Sequence, residues 1–447
     1  MALPPGPTSS ALTQTVHLVR GPAEFLTRCA RDYGDVFTVK VWNPNRRVRI
    51  VFAWDPATIK QVFTTAGDTL RAGEAARGVI GPFVGDYSLL TLDGPEHRRQ
   101  RKLLMPPFHG ERMRAYGETM RAITEAKIAS WPRGEPFAVH GWMQQITLEV
   151  ILRTVFGMED GASMDRLGGE LTAVMNVGRN PLSMLPLSRV WMGPRSPRAQ
   201  FERHKAAADE LIFAEIERRR ASANGAPRED VLSLMMSAVD EDGAQMTNQE
   251  LRDELVTMLA AGHETTATAL AWAIAELLGH RHTLERAVAE LDTVTGGAPV
   301  TAENLARLEY LDAVCKETLR LRPIVPKVAR VLQVPLVVRG FELPARTVLA
   351  PSIYLTHRHP DIYPEPESFR PERWLGVKPD PYAWLPFGGG VRRCLGMAFA
   401  MFEMKIVLAT VLQRAALSLA PGTSSRLARR AITFAPSDGA RVVAHAR

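Results

Sequence analysis

The chain has 447 residues, and 46% of them are hydrophobic, which is enough for a sizeable core and excludes a disordered protein. Its net charge of +7 comes from basic residues that are spread along the chain without a zinc-finger or RNA-binding motif, so we expect no nucleic-acid partner. Three widely spaced cysteines, no signal peptide and no apolar run of spanning length predict a cytoplasmic protein without a disulfide framework or a membrane span. We also expect a monomer.

The first part of the chain predicts a small β region among helices. Residues 1–20 are expected to be a loose lead-in that ends in a short helical piece. Alternating apolar residues at 37–42 and 47–52 predict two strands. Residues 72–93 are rich in glycine, which predicts a long loop of the kind that often carries function. No break in composition divides the chain, so we expect one domain over residues 1–447.

Helical patterns dominate the middle of the chain. A basic helix is predicted at 94–105, with Pro95 near its start. Further helices are predicted at 110–130, 140–157, 163–176, about 197–222, 281–295 and 303–321.

One helical pattern is much longer than the others and runs from Thr247 to Gly279. Thr247 and Glu250 have the spacing of a capping box, which predicts that the helix starts there. Because the helix is apolar on more than one face, we expect it to be central and buried.

The middle of this long helix contains residues that weaken a helix. Gly262 costs about 1 kcal/mol relative to alanine at such a position, and local violations of this kind often mark function. Ala261 and Gly262 lack bulk, so a flat cofactor or O2 can lie against them. Glu264 and Thr265 form an acid–alcohol pair that can relay protons. Taken alone, the stretch is also compatible with a solvated turn.

The chain then passes through short strands at 328–350 and a proline-rich meander at 360–386. Before them, Glu317 and Arg320 lie on one face of a predicted helix at spacing i, i+3. Such a pair is usually a surface ion pair that contributes little stability.

A glycine-rich turn near the C-terminus delivers Cys394 to the start of a helix that is predicted to run to about Gln413. Three consecutive glycines, Gly388 to Gly390, favour a tight loop. The helix start, Arg392 and Arg393 are expected to lower the thiol pKa. A lone thiolate cannot build a tetrahedral zinc site, but it can be the single protein ligand of a haem iron. A buried structural cysteine is the alternative.

The pattern Phe-x-x-Gly-x-Arg-x-Cys-x-Gly from Phe387 to Gly396 resembles the haem-binding loop of the cytochrome P-450 family, the haem-thiolate monooxygenases. Ala261 to Thr266 is similar to the family's oxygen-binding motif, Glu317 to Arg320 to its Glu-x-x-Arg, and Pro371 to Trp374 to its Pro-Glu-Arg-aromatic segment. The resemblance runs from about Pro4 to the C-terminus. It implies a mainly α fold with a small β portion, a triangular helical domain with a long central helix, and no fused reductase.

The resemblance implies the cofactor haem b and assigns roles to residues of this chain. Cys394 is the implied iron ligand, and Glu264 and Thr265 are the implied catalytic residues. The implied cofactor-binding residues are His97, Arg101, Ala261, Gly262, Arg330, Phe387, Gly388, Arg392, Cys394 and Gly396. A buried structural network of Glu317, Arg320 and Arg373 is implied behind the haem. The implied substrate contacts are Phe83, Leu89, Met184, Ala261 and Val328, and Lys327 beside them is expected to meet a carboxylate or to point to solvent.

The implied activity is insertion of one oxygen atom from O2 into a lipophilic small molecule, by hydroxylation or epoxidation of a fatty acid, terpenoid, steroid or polyketide-like substrate. Electrons are expected from a separate ferredoxin or flavodoxin with its reductase, docked through Arg98, Arg99, Lys102 and Lys405. Two alternatives remain. A haem-thiolate isomerase, dehydratase or peroxide-driven oxidase is disfavoured by the Glu264–Thr265 pair, and a non-catalytic haem-based ligand sensor by the lack of an output domain.

Overall fold

The structure is a computed structural model, and it describes residues 3–43, 48–108, 112–179, 193, 195–222 and 229–445. Helices make up most of it, as the sequence predicts. The helices are α1 Ala11–Arg20, α2 Pro22–Tyr33, α3 Pro56–Thr64, α4 Ala72–Val84, α5 Gly94–Leu104, α6 Arg112–Ala129, α7 Val139–Thr154, α8 Gly161–Arg179, α9 Pro197–Ala221, α10 Val231–Ser237, α11 Asn248–Gly279, α12 Arg281–Thr295, α13 Glu309–Leu321, α14 Ile353–Thr356 and α15 Met397–Arg414.

The β portion is small and falls into four sheets within the described residues. The strands are β1 Val36–Val41, β2 Val48–Ala53, β3 Leu70–Arg71, β4 Pro136–Ala138, β5 Arg330–Leu332, β6 Leu336–Val338, β7 Phe341–Leu343, β8 Val348–Pro351, β9 Ala416–Leu419, β10 Leu427–Arg430, β11 Thr433–Pro436 and β12 Arg441–His445. The largest sheet has the order β1-β2-β8-β5-β3, and β2 and β8 are its parallel pair. The others are β4-β12-β9 and the hairpins β6-β7 and β10-β11.

The long helix α11 is central and buried, as predicted. It starts after Thr247, whose side chain accepts a hydrogen bond from the Glu250 N–H while the Glu250 carboxylate accepts one from the Thr247 N–H, so the capping box is confirmed. Residues on all sides of the helix are buried, among them Leu255 and Trp272. Helices α7 and α15 pack against it, so α11 contacts the helix that follows Cys394.

The prediction of a long loop at 72–93 is wrong for its first half, which is helix α4. Glycines and Pro82 weaken the local helix signal. Asp93, about twenty residues along the chain, accepts hydrogen bonds from the N–H groups of Gly73 and Glu74, at 2.8 Å each. It therefore satisfies two donors of the first helical turn, and such a distant partner has no local signature.

The predicted helix at 303–321 is also wrong in its first turn. A 3-10 helix spans Asn304–Arg307, and α13 begins at Glu309. Leu308 separates them with φ −89° and ψ 68°, outside helical values. Among the described residues, no helix is both long and apolar enough to cross a membrane.

Candidate functional site

The loop that carries Cys394 is held in a tight conformation by its glycines. Gly388 and Gly390 have φ values of +64° and +63°, which glycine adopts readily. A Cβ atom at Gly390 would lie 2.4 Å from the carbonyl oxygen of Phe63. The Cys394 N–H donates to the carbonyl oxygen of Phe387 at 2.9 Å. Substitution of Gly390 would therefore displace the loop from α3, to which Phe63 belongs.

The thiol of Cys394 is exposed, yet many protein atoms surround it. Burial raises its pKa above the usual 9.0, although the Gly396 N–H, Arg101 and Arg393 act in the opposite direction. The expectation of a lowered pKa is thus wrong for the protein chain by itself, because desolvation outweighs the helix start and the arginines. A metal ion on the sulfur would add the charge that deprotonates it.

Arg392 ties the cysteine loop to the segment before α5. Its guanidinium donates to the carbonyl oxygens of Leu89 (3.0 Å) and Leu92 and to the carboxylate of Asp93. Asp93 therefore fixes Arg392 as well as the start of α4. Asp93 is not among the residues predicted for the site, although its place as the N-cap residue before Gly94 and Pro95 is a signal that local sequence contains.

Four of the residues predicted to bind the cofactor, His97, Arg101, Arg330 and Arg392, form one cluster of basic groups. His97 is buried, and burial lowers its pKa to about 3, with further lowering by Arg392, Arg101 and Arg330. Burial and then Arg392 lower the pKa of Arg330 to about 10. Within the described residues, the one ion pair of this cluster joins Arg392 to Asp93. The cluster therefore has more positive than negative charge.

These groups fit the two propionates of haem b. The lowered pKa values of His97 and Arg330 show that the surrounding protein disfavours a positive charge on each of them. Carboxylates bound next to these groups would favour the charged forms. Arg101 also contributes to the electrostatics of the Cys394 sulfur, so the cluster adjoins the loop. Basic groups for an acidic edge and one thiol for a metal are the donors that haem-thiolate binding requires.

The middle of α11 presents Ala261 and Thr265 on one face, since residues four apart align along a helix. Ala261 is exposed although most of this helix is buried, and the Thr265 hydroxyl donates to the Ala261 carbonyl oxygen. Gly262 has a packing role instead: an added Cβ would lie 3.0 Å from Cδ1 of Ile151 in α7. Its small size therefore lets α11 and α7 approach closely.

Glu264 points toward α7 and the β10-β11 hairpin. Nε2 of Gln144 donates to its Oε2 at 2.6 Å, and its Oε1 lies 3.9 Å from His140 Nε2 and from Arg430 Nη1. Adjacent residues on a helix differ by about 100° in direction, so Glu264 and Thr265 face different neighbours. The three polar partners of Glu264 come from distant parts of the chain and were not predicted from the sequence.

The predicted network of Glu317, Arg320 and Arg373 is present, and Glu317 and Arg320 are fully buried. Arg320 donates to both oxygens of Glu317 at 2.8 and 2.9 Å, and Arg373 Nε donates to Oε1 at 3.0 Å. Trp374 Nε1 and the Arg370 N–H also donate to the carboxylate, at 2.9 Å each. These last two donors are not among the predicted members of the network.

Arg320 extends this network into the meander. Its guanidinium donates to the carbonyl oxygens of His357 (2.8 Å), Pro366 (2.7 Å) and Ser368 (3.1 Å). The Glu317–Arg320 pair therefore fastens α13 to a segment that lacks regular secondary structure.

The predicted substrate contacts lie in different environments. Leu89 is buried in the main core and Phe83 packs against that core. Val328 lies against the cysteine loop, because its Cγ1 is 3.7 Å from a Cβ built on Gly388. Phe387, predicted for the cofactor, packs edge-on against Trp384. Met184 lies outside the described residues.

The four basic residues predicted to meet a redox partner differ in exposure. Arg98 and Lys102 are 62% and 70% exposed. Arg99 is paired with Asp240 and Glu250 at 2.6 and 2.7 Å, and Lys405 is 17% exposed and paired with Asp312. Arg98 and Lys102 also form ion pairs, with Asp68 at 3.9 Å and with Glu241, so the four residues differ in exposure rather than in pairing, and Arg98 and Lys102 are the most accessible of them.

Comparisons with known proteins agree with this geometry. Residues 4–437 match the family described as Cytochrome P450. The chain is 42% identical over 442 residues to the Mycobacterium tuberculosis protein named cytochrome P450 135B1, with 99% of this chain and 91% of that protein covered.

Two solved structures have the same fold. The structure of retinoic acid-bound cyanobacterial CYP120A1 is 26% identical with a TM-score of 0.84, covering 100% of this chain and 99% of that chain. The crystal structure of the cytochrome P450DA heme domain is 26% identical with a TM-score of 0.89, covering 100% and 98%. The mainly helical fold with a small β portion is thereby confirmed, and the chain belongs to the cytochrome P450 family, the haem-thiolate monooxygenases whose cofactor is haem b.

Proposed function

We propose that this protein inserts one oxygen atom from O2 into a lipophilic small molecule, by hydroxylation or epoxidation, with Cys394 as the iron ligand of haem b. The observation that carries the proposal is the basic cluster beside the Cys394 loop, which needs acidic groups from outside the chain. Haem b, when bound, supplies the iron at which O2 is reduced. His97, Arg101, Arg330 and Arg392 hold its propionates, while Gly388 and Gly396 shape the loop around the sulfur.

The remaining residues bind and orient the reactants. Ala261 and Thr265 form the wall of α11 beside the reacting oxygen, and Gly262 keeps that wall against α7. Phe83, Leu89 and Val328 supply apolar contacts for the substrate. The solved neighbour with retinoic acid supports a lipophilic substrate, since retinoic acid is an apolar molecule with one carboxylic acid. Fatty acids, terpenoids, steroids and polyketides all have this general character.

The test of the function is an assay with isotopically labelled O2. The purified holoprotein, a ferredoxin with its reductase and a library of lipophilic compounds should give products that contain one labelled oxygen atom. Products should form only with reductant. Formation without reductant would identify an isomerase, a dehydratase or a peroxide-driven oxidase. Binding of haem ligands without turnover of any compound would identify a sensor.

In the same assay, Thr265→Val should uncouple electron use from product. The substitution keeps the shape of the side chain and removes the hydroxyl at which we place proton delivery. A positioned proton donor typically contributes about 100- to 10,000-fold to a rate. Water replaces a missing donor in part, so we expect product per electron to fall roughly tenfold. Thr124→Val is the matched control, because its hydroxyl also bonds the carbonyl four residues earlier but lies in α6. Unchanged coupling in Thr265→Val would remove Thr265 from the relay.

The electron donor is proposed to dock at Arg98 and Lys102 on α5. Both side chains are exposed, and an acidic ferredoxin or flavodoxin complements them. Charge reversal in the double variant Arg98→Glu and Lys102→Glu should raise the KM for the donor about tenfold and flatten its dependence on salt. Arg20→Glu, an exposed arginine at the end of α1, is the control. A KM that stays the same in the double variant would move the docking surface elsewhere.

A further inference from the structure

A short segment between α13 and β5 brings a lysine next to the candidate site. Its backbone is fixed by two hydrogen bonds: the Tyr354 N–H donates to the Pro326 carbonyl oxygen at 3.0 Å, and the Val328 N–H donates to that of Pro351 at 3.1 Å. Val328 lies against Gly388 of the cysteine loop. Lys327, between Pro326 and Val328, is therefore held beside the loop that carries Cys394.

Lys327 is enclosed by protein and has no acidic partner among the described residues within ion-pair distance. Its side chain is partly exposed, yet burial lowers its pKa, with a further contribution from Arg429. The side chain of Lys327 is therefore partly exposed at a place where surrounding protein atoms desolvate its ammonium group. An enclosed ammonium without a counter-charge is unfavourable, so a residue of this kind needs a reason to be there.

Arg429 adds a second cation to the same region. It lies on β10 opposite Phe434 of β11, and the Phe434 N–H donates to the carbonyl oxygen of Ile324 at 2.7 Å. This hydrogen bond fastens the β10-β11 hairpin to Ile324, three residues before Lys327. Burial lowers the pKa of Arg429 as well.

Among the described residues, Arg429 donates its hydrogen bonds to carbonyl oxygens. Its Nε donates to that of Ala431 at 2.9 Å and its Nη1 to that of Leu18 at 3.4 Å. Within the described residues, neither it nor Lys327 forms an ion pair. The next residue, Arg430, approaches Glu264 of α11 at 3.9 Å, so the hairpin also adjoins the helix with the oxygen motif. Lys327 beside the cysteine loop and Arg429 on this hairpin are therefore two neighbouring cations without an ion-pair partner among the described residues.

We propose that Lys327 and Arg429 bind the carboxylate of the substrate, which is a lipophilic carboxylic acid. This inference rests on the proposed function and names its substrate class. The surrounding residues Ile324, Val328 and Phe434 are apolar and suit a hydrocarbon chain. A carboxylate gains charge-assisted hydrogen bonds from both side chains, whereas an alcohol or an ester leaves two enclosed cations uncompensated.

The test compares dodecanoic acid with 1-dodecanol as ligands of the holoprotein at neutral pH, where the acid is ionised. Calorimetry gives the Kd, and the spin-state change of the haem gives an independent reading. The wild-type protein should bind the acid at least about tenfold more tightly. Lys327→Gln and Arg429→Gln should each weaken acid binding about tenfold and leave alcohol binding within about twofold.

The controls separate charge from structure. Lys378→Gln and Arg426→Gln remove exposed cations of the same two types and should change neither Kd. Lys327→Arg and Arg429→Lys retain the charges, so they should keep the preference for the acid. They decide the question if a glutamine variant does not fold.

Three results would overturn the inference. The first is equal affinity of the wild-type protein for the two ligands, or no binding of either. The second is unchanged acid binding in both glutamine variants. The third is loss of haem from Lys327→Gln, which would assign Lys327 to the cofactor. Each leaves the proposed function intact when the wild-type protein shows a normal haem-thiolate spectrum, whereas absence of that spectrum from the wild-type protein refutes the proposed function.

Discussion

Replacement of Cys394 by serine is expected to abolish the haem-thiolate spectrum and to reduce turnover to background. Serine has nearly the same shape, so the bond from residue 394 N–H to Phe387 should persist. A hydroxyl does not ionise near neutral pH, and it cannot replace a thiolate as a strong ligand of iron. The measurement is the Soret band of the reduced carbon monoxide complex, for which the family is named.

The two other cysteines provide matched controls for this experiment. Cys29 and Cys315 are buried, and burial raises the pKa of these thiols to about 11 and about 12. Burial and the raised pKa values indicate that both cysteines have structural roles. The variants Cys29→Ser and Cys315→Ser should therefore keep the Soret band of the carbon monoxide complex. A variant Cys394→Ser that retains the band would show that another side chain holds the iron.

Residue patterns along the chain predicted the elements whose causes are local. The capping box of Thr247 and Glu250 fixed the start of α11, and the all-round apolar composition of that helix showed that it is buried. The glycine run before Cys394 indicated a tight turn, which the positive φ values of Gly388 and Gly390 bear out. In each case the residues that cause the structure lie within a few positions of it.

Features with distant causes were not predictable in this way. The helix α4 depends on Asp93, which bonds its first turn and also holds Arg392 from the far end of the chain. The polar neighbours of Glu264 come from α7 and β10. The raised pKa of the Cys394 thiol follows from how much protein surrounds it, whereas the sequence shows only the nearby arginines.

Lys327 illustrates an intermediate case. The sequence shows a lysine among apolar residues, which is compatible with a solvated side chain or with a carboxylate partner. Tertiary structure adds that burial lowers its pKa and that Arg429, about a hundred positions later, lies close enough to lower it further. The second cation turns an ambiguous lysine into a hypothesis about substrate chemistry.

Loss of the Glu317 carboxylate should have the largest effect on stability. Glu317→Gln keeps the size of the side chain but removes the charge that two arginines and Trp374 contact. Arg320 is then a fully buried cation without its counter-charge. Removal of one partner from a buried pair costs about 3–5 kcal/mol, and we expect the free energy of unfolding to fall by this amount.

Chemical denaturation followed by circular dichroism measures that change, and the haem content of the purified variant reports whether the meander still supports the cysteine loop. Glu285→Gln is the control, since it removes an exposed carboxylate that pairs with an exposed arginine on α12. It should leave the unfolding transition unchanged, because solvent screens such a pair. If Glu317→Gln behaves like this control, the hydrogen bonds from Arg320 to the carbonyl oxygens of His357, Pro366 and Ser368 are sufficient without the carboxylate. The network would then act through the arginine alone.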